Sequence, residues 1–263
     1  MFIDEVTDIL DLLYKHNWDE RNGGNLSYIL TKEEIKELNI DENNIIKKYT
    51  YDFDMSEIFG RYFIITKTGS YFKNMKKDPE SNLGIVKVLD KNTLGLLWGY
   101  VSGGGPTSEA PTHLKCHIER LKKDKNQRVI IHSHPTNIVC MTHVVPIDAN
   151  FITEKLWKMQ TESIVVFPEG VGILPWILCG GTKIGDETAK LMNEYRSVIW
   201  AQHGVFASGT SLDEVFGLIE TIEKAAEIYL KIMDKKIYQS ISNENLKEIA
   251  KAFNLEYKKG IID

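Results

Sequence analysis

Short apolar runs rich in β-branched residues alternate along this chain with segments of helical periodicity. The runs Val129-Ile130-Ile131 and Val198-Ile199-Trp200-Ala201 are typical of strands buried on both faces. In residues 2–16, by contrast, apolar side chains recur at the three- and four-residue spacing of an amphipathic helix. Alternation of the two periodicities excludes all-helical and all-β folds and predicts an α/β fold.

The same periodicities predict the remaining elements. Further strands are expected at about 26–30, 61–66, 84–89, 94–101, 128–132, 163–167 and 197–202. Further helices are expected at about 109–122, 147–160, 184–195, after Ser211, and near 243–253. Ser108 is the expected N-cap of the helix at 109–122, and Ser211 with Glu214 has the spacing of a capping box. Residues 31–60 are polar and lysine-rich, with no clear core face.

Composition restricts the class of protein further. With 263 residues, 43% of them hydrophobic and 26% charged, the chain is an ordinary globular protein. No repeat and no Pro-, Gly- or Ser-rich linker divides it, so one domain over residues 1–263 is expected. A net charge of −5 argues against a general nucleic-acid surface.

Cysteine usage and apolar runs bear on location. The three cysteines lack CxxC spacing and are typical of a reducing compartment. The N-terminus is acidic where a signal peptide would be basic. The longest apolar run, 171–179, is interrupted by Gly172 and Pro175 and is too short for a membrane span. A cytoplasmic protein without membrane contact is therefore expected.

Histidines at the ends of two predicted strands indicate a metal site. His132 and His134 are two residues apart, so in a strand their imidazoles point to one face. The alternative is that the pair only flanks a turn before Pro135. His203, which ends a second apolar strand before Gly204, favours the metal interpretation. Three histidines with open coordination positions are typical of catalytic rather than structural zinc.

Glu109 is the candidate acid or base. It follows the glycines at 103–105 and begins a predicted helix, whose dipole favours the ionised carboxylate. Near a metal it could ligate the ion in the empty site or act as a base on a bound substrate. A helix-start glutamate with no role beyond the dipole is the alternative.

Three loops have the composition of phosphate sites. They are Asn22-Gly23-Gly24-Asn25, Thr66-Lys67-Thr68-Gly69-Ser70 and Thr107-Ser108 at a helix start. Each alone is a weak indication, because these are also ordinary turn residues. No Walker or GxGxxG motif is present, so a phosphorylated small substrate is favoured over a nucleotide.

Tracts spread along the whole chain resemble one family, the class II sugar-phosphate aldolases of the aldolase/adducin group. These tracts are NWDERNGGNL at 17–26, PTSE at 106–109, HSH with Thr136-Asn137 at 132–137, TESIVVFPEGVG at 161–172, HGVF at 203–206 and LDEVFGLI at 212–219. The tracts at 17–26 and 161–172 are similar to one branch, which cleaves L-rhamnulose 1-phosphate into dihydroxyacetone phosphate and L-lactaldehyde.

The resemblance implies a fold, a cofactor and an assembly. The fold is a single-domain three-layer α/β/α structure, with a central, mostly antiparallel sheet covered by helices on both faces. The cofactor is one Zn²⁺ per subunit, the substrate a sugar phosphate, and the assembly a C4 homotetramer.

The resemblance also assigns residues. The metal ligands fall on His132, His134 and His203, and the general acid/base glutamate falls on Glu109. A second glutamate, supplied across a subunit interface, falls on Glu162. The phosphate-binding positions fall on Asn22, Gly24, Asn25, Thr68, Thr107 and Ser108. Thr68 stands where a serine is expected, which keeps a hydroxyl donor, and His143 is interpreted as structural.

Two kinds of alternative remain. Within the family, a fuculose 1-phosphate aldolase or a ribulose-phosphate 4-epimerase would use the same metal triad. A non-catalytic scaffold, which the fold becomes in adducin, would be expected to lose the metal ligands, whereas all three histidines and Glu109 are present.

Overall fold

The computed structural model describes residues 2–263. Its helices are α1 (Phe2–Lys15), α2 (Lys32–Glu37), α3 (Phe72–Met75), α4 (Pro79–Asn82), α5 (Ala110–Lys123), α6 (Thr136–Val144), α7 (Ala149–Trp157), α8 (Thr161–Val166), α9 (Thr182–Met192), α10 (Leu212–Ile232) and α11 (Asn243–Ala252), with a 3₁₀ turn at Ser56–Ile58. Its strands are β1 (Asn25–Leu30), β2 (Lys47–Thr50), β3 (Tyr62–Thr66), β4 (Leu83–Val88), β5 (Thr93–Gly99), β6 (Val129–Ser133), β7 (Gly172–Leu174), β8 (Ser197–Trp200) and β9 (Gly204–Gly209). Across residues 2–263, no helix has both the length and the apolar character needed to cross a membrane.

The strands of this described part of the chain form one nine-stranded sheet. Their order is β2-β5-β4-β3-β1-β6-β9-β8-β7. Neighbouring strands are antiparallel except β7 and β8, which are parallel. The predicted mostly antiparallel sheet is thus confirmed, and β6 with β9 lies near its middle.

Side chains on successive strand positions enter different cores, as the two-residue period of a strand requires. On β6, Val129 and Ile131 pack in the core that contains side chains of α1, α7 and α10. Ile130 between them packs on the opposite face, with side chains of α5 and α9. Helices therefore cover both faces of the sheet, and the three-layer prediction is confirmed.

One predicted strand is wrong. Residues 163–167 lie mostly in the short helix α8, although Ile164-Val165-Val166 is an apolar run with β-branched side chains. Ser163, Ile164 and Phe167 are the fully buried positions, and this spacing follows a helical turn rather than alternation. Packing of α8 against α10 and α11 determines its conformation, because a short apolar run fits either type of element.

Sequence patterning also missed elements. Strands β2, β7 and β9 and helix α6 were not predicted. In β9 every residue is buried, so no alternation of polar and apolar side chains distinguishes it. Helix α6 directly follows Pro135, and its apolar residues do not form a clear stripe.

The predicted caps need correction. Glu109, not Ser108, is the residue before the first turn of α5, and its side chain caps no backbone N–H. Ser211 does cap α10, with its Oγ accepting a hydrogen bond from Glu214 N at 3.1 Å. The carboxylate of Glu214 accepts instead from Thr210 N at 2.7 Å and from Arg196 at 2.8 Å. The second hydrogen bond of the predicted capping box, from Ser211 N to the Glu214 side chain, is therefore absent.

A buried carboxylate on α10 anchors the start of α6. Glu223 accepts hydrogen bonds from Asn137 N (2.9 Å), Asn137 Nδ2 (2.8 Å) and Ile138 N (2.8 Å). These backbone N–H groups lie in the first turn of α6, where no intrahelical carbonyl can satisfy them. The contact also fixes the chain that leaves β6.

Replacing this carboxylate tests the anchor. Glu223→Ala leaves buried N–H groups unsatisfied, so we expect the free energy of unfolding to fall by about 1–3 kcal/mol. Denaturant unfolding monitored by circular dichroism measures the change. Glu220→Ala, at an exposed position of the same helix, is the matched control and should stay within about 0.5 kcal/mol of the parent. Equal stability of the two variants would contradict the anchoring role.

Candidate active site

Three imidazoles meet where β6 ends beside the turn between β8 and β9. His132 belongs to β6, His134 directly follows that strand, and His203 lies between β8 and Gly204. One ring nitrogen from each histidine lies within 4.8 Å of the others. The predicted convergence of the three side chains is confirmed as a matter of geometry.

Gly204 allows this close approach. A Cβ at residue 204 would lie 2.7 Å from Cδ2 of His134 and 3.2 Å from Cε1 of His132, and would overlap the carbonyl oxygen of Ser133. The preceding turn is held by Gln202, whose backbone N–H donates to Thr142 Oγ1 at 2.9 Å. With any larger residue at position 204, the start of β9 would have to move away from Ser133 and His134.

The outer nitrogens of two rings are already bonded. His132 Nδ1 lies 3.0 Å from the carbonyl oxygen of Val205, and His134 Nδ1 lies 2.7 Å from Glu20 Oε1. Both acceptors require N–H on Nδ1, which turns the Nε2 atom of each ring toward the cluster. The two Nε2 atoms face each other at 3.1 Å.

Such a donor set fits a divalent metal. Burial lowers the pKa of His132 well below its usual range and that of His203 to about 4, so both rings stay neutral. Neutral imidazole is the metal-binding form, so these two rings have a lone pair available to a cation. Residues His132, His134 and His203 could therefore hold a metal ion such as zinc.

Glu109 lies next to the histidines. Its Oε2 is 3.6 Å from His132 Nε2 and accepts a hydrogen bond from Asn25 Nδ2 at 2.9 Å. Burial raises the pKa of Glu109 to about 7, and the bond from Asn25 opposes this shift. The expectation that the helix dipole would favour the ionised form is thus corrected, because the loss of solvation is the larger effect. A carboxyl group with a pKa near neutrality can both accept and return a proton.

Two of the predicted phosphate loops lie side by side. An isolated β-bridge pairs Lys67 with Pro106, and Thr68 N donates to the carbonyl of Gly105 at 3.0 Å. The side chains of Thr68 and Ser108 are exposed beside this bridge. Within residues 2–263 the Ser108 hydroxyl forms no hydrogen bond, so it is available to an anion.

The third loop is held by a buried carboxylate. Asp19 accepts hydrogen bonds from Gly24 N at 2.9 Å and from Phe72 N at 3.2 Å. A Cβ at Gly24 would lie 2.9 Å from the carbonyl oxygen of His132 and 2.8 Å from the Phe72 ring. Glycine at this position therefore brings the loop against the histidine-bearing strand, with Asn22 exposed at its tip.

Glu162 is not part of this cluster. It lies in the first turn of α8 and is exposed, whereas α8 packs against α7, α10 and α11. Of the predicted site residues, the histidines, Glu109 and Asn25 are brought together, and Glu162 of the same chain is not.

Several polar residues of the site were missed from the sequence. Asp19 and Glu20 support the glycine loop and His134, while Ser27, His113 and His117 form a buried group behind Asn25. The four-residue spacing of His113 and His117 on one face of α5 was the available signal. No local signal identifies Asp19 or Glu20, because their partners lie elsewhere in the chain.

Comparison with known proteins agrees with this geometry. The sequence profile of the family "Class II Aldolase and Adducin N-terminal domain" matches residues 4–230. A rhamnulose-1-phosphate aldolase of Listeria monocytogenes is 44% identical over 265 residues, which cover 100% of this chain and 97% of that protein. One of Enterococcus faecalis is 42% identical over 264 residues, covering 100% and 94%. A sugar-phosphate aldolase from Thermotoga maritima has a crystal structure with a TM-score of 0.74 and 28% identity, over 88% of this chain and 94% of that one.

The chain belongs to the class II aldolase/adducin family. It is an enzyme of the lyase class, as its full-length aldolase relatives are. Class II aldolases are metal-dependent, in agreement with the cluster of three histidines.

Changing the glycine that admits the histidines tests the metal centre. Gly204→Ala forces a methyl group against Ser133 and His134, so we expect the bound metal per chain to fall at least tenfold at limiting metal. Elemental analysis after dialysis measures this. Gly217→Ala is the matched control, because a Cβ there meets nothing within 4 Å and alanine favours a helix. Full metal content in Gly204→Ala would refute the role of this close approach.

Proposed function

We propose that the protein catalyses the zinc-dependent aldol cleavage of L-rhamnulose 1-phosphate to dihydroxyacetone phosphate and L-lactaldehyde. The observation that carries this proposal is the cluster of three imidazoles with the Glu109 carboxyl group 3.6 Å from one of them. Full-length relatives with that activity in their names support the choice of substrate.

The chemistry explains why such a cluster is needed. Cleavage of a carbon–carbon bond next to a ketone leaves an enediolate, whose negative charge must be stabilised. A zinc ion held by His132, His134 and His203 would supply a Lewis acid for that charge, an effect worth several kcal/mol. Glu109 would hold and move the proton at the carbon that becomes part of dihydroxyacetone phosphate.

The phosphate loops would bind the end of the substrate that does not react. We assign this binding to Asn22, Gly24, Asn25, Thr68, Thr107 and Ser108, with Gly24 contributing the shape of its loop because its N–H already donates to Asp19. Thr68 and Ser108 have exposed hydroxyl groups. The backbone N–H of Thr107 already donates to the carbonyl of Thr66, so Thr107 would bind the phosphate through its side-chain hydroxyl. Binding energy from the phosphate would orient the reacting carbon relative to Glu109.

Assembly completes the proposal. We infer a cytoplasmic homotetramer of single-domain subunits, with one zinc ion in each. Glu162 would then act at the site of a neighbouring subunit, for which its exposed position on α8 leaves it accessible.

The first experiment follows product release. Purified, zinc-loaded protein mixed with L-rhamnulose 1-phosphate should release dihydroxyacetone phosphate, measured with a coupled reductase. EDTA should abolish release and added zinc should restore it. L-fuculose 1-phosphate and L-ribulose 5-phosphate are tested in parallel. No cleavage of L-rhamnulose 1-phosphate by protein with stoichiometric zinc, or a preference for another sugar phosphate, would refute the substrate proposal.

Two adjacent residues should give opposite kinetic signatures. Glu109→Gln keeps an oxygen for Asn25 but loses the proton acceptor, so kcat should fall by about 10²–10⁴ with little change in KM. Ser108→Ala loses an anion contact, so KM should rise about tenfold while kcat changes little. Steady-state kinetics at saturating zinc distinguishes the two. If both variants showed the same small loss of kcat/KM, the reaction would take place at another site of the protein.

A further inference from the structure

A row of buried polar side chains continues from Glu109 into the protein. Asn25 and Ser27 lie two positions apart on β1, and His113 and His117 lie four apart on α5, so each pair shares a face. All four side chains are at most 5% exposed. Polar groups this deep in the layer between sheet and helix are costly unless every one is bonded.

Each member of the row bonds the next. Asn25 Nδ2 contacts Glu109 Oε2 at 2.9 Å, and Asn25 Oδ1 contacts His113 Nε2. Ser27 Oγ then joins the two rings, at 2.7 Å from His113 Nδ1 and 2.8 Å from His117 Nε2. The row therefore begins at His117 and ends on the carboxyl group beside the metal centre.

With the Asn25 amide oriented as in the structure, a single direction of donation satisfies all of these contacts. Burial lowers the pKa of His113 to about 3 and that of His117 well below its usual range, so each ring is neutral with one N–H. The amide oxygen of Asn25 can only accept, so His113 carries its proton on Nε2. His113 Nδ1 must then accept from the Ser27 hydroxyl, which accepts in turn from His117 Nε2.

The proton on His113 Nε2 and the orientation of the Asn25 carboxamide hold each other in place. If the amide were reversed while His113 kept its proton on Nε2, the NH₂ group of Asn25 would meet that N–H, and the two donors would repel each other. With His113 as donor, the NH₂ group stays turned to Glu109, and its second N–H remains for the cleft.

We propose that His113 is a positioning residue, which holds Glu109 in place by fixing the Asn25 carboxamide. Ser27 and His117 hold the tautomer that His113 needs. The inference rests on the proposed function of Glu109 as proton carrier, and it adds three residues that never contact the substrate.

A pair of substitutions at His113 separates positioning from packing. His113→Leu fills a similar volume without a donor, so kcat on L-rhamnulose 1-phosphate should fall about tenfold or more at unchanged zinc content. His113→Gln keeps an N–H near the position of Nε2 and should recover most of that loss. His143→Leu, at an exposed position of α6, is the matched control and should leave kcat unchanged. Equal losses in the leucine and glutamine variants would overturn the proposal.

A double-mutant cycle gives the second readout. In an Asn25→Ala background the donor of His113 has no partner, so adding His113→Leu should change kcat less than twofold. A merely structural role would instead give the same loss in both backgrounds, and that additive result would also overturn the proposal.

A crystal structure of His113→Leu provides a third arm that does not depend on the substrate. We expect the Asn25 amide to rotate and its contact with Glu109 to be lost, whereas His113→Gln should keep that contact. Retention of the contact in the leucine variant would overturn the inference. Failure of the proposed function is distinguishable, because the unaltered protein itself would then not cleave L-rhamnulose 1-phosphate.

Discussion

The end of β6 and the turn between β8 and β9 approach each other more closely than a side chain at residue 204 would permit. Antiparallel pairing of β6 with β9 places His132 opposite Phe206 and Ser133 opposite Val205. The ring of Phe206 stacks on His132 with centroids 4.4 Å apart and planes inclined by 19°. The strand register therefore fixes both the position of the imidazole and the plane of its ring. His132 is thus placed by the sheet itself, and His134 and His203 lie within three residues of a strand end, which favours precise placement of all three rings.

Burial gives the carboxyl group beside this site its chemical character. Removed from water, Glu109 has a raised pKa, and the hydrogen bond from Asn25 is stronger there than it would be in solvent. The two effects act in opposite directions on the proton, so the environment leaves neither the acid nor its conjugate base greatly favoured at neutral pH. Burial between the sheet and α5 thus has two roles, because it stabilises the fold and sets the chemistry of the acid.

The sequence predicted those parts of the site that depend on local pattern. The run Val129-Ile130-Ile131 indicated a buried strand, and the spacing of His132 and His134 placed two rings on one side of it. His203 was expected to join them because it ends a second apolar strand, although the contact itself depends on the pairing of β6 with β9, and β9 has no alternation from which it could be predicted. Local pattern failed at 163–167 because packing between helices decides the conformation of a short apolar run.

Contacts between distant residues explain what was missed. Asn25 and Glu109 are 84 positions apart, Ser27 and His117 are 90 apart, and Phe72 lies 53 residues from the carboxylate that accepts its N–H. The dipole argument for Glu109 used only its place at a helix start, whereas its pKa is set by side chains from other elements that exclude water. In the proposed reaction, these distant contacts act on the dihydroxyacetone phosphate half of the substrate, through the metal, the acid and the phosphate loops. An aldehyde half leaves from the other side of the broken bond, so discrimination between sugar phosphates must come from side chains beyond this group. The full-length relatives are therefore stronger evidence for the identity of the substrate than the site is. The site would perform the bond-breaking step that the candidate sugar phosphates have in common.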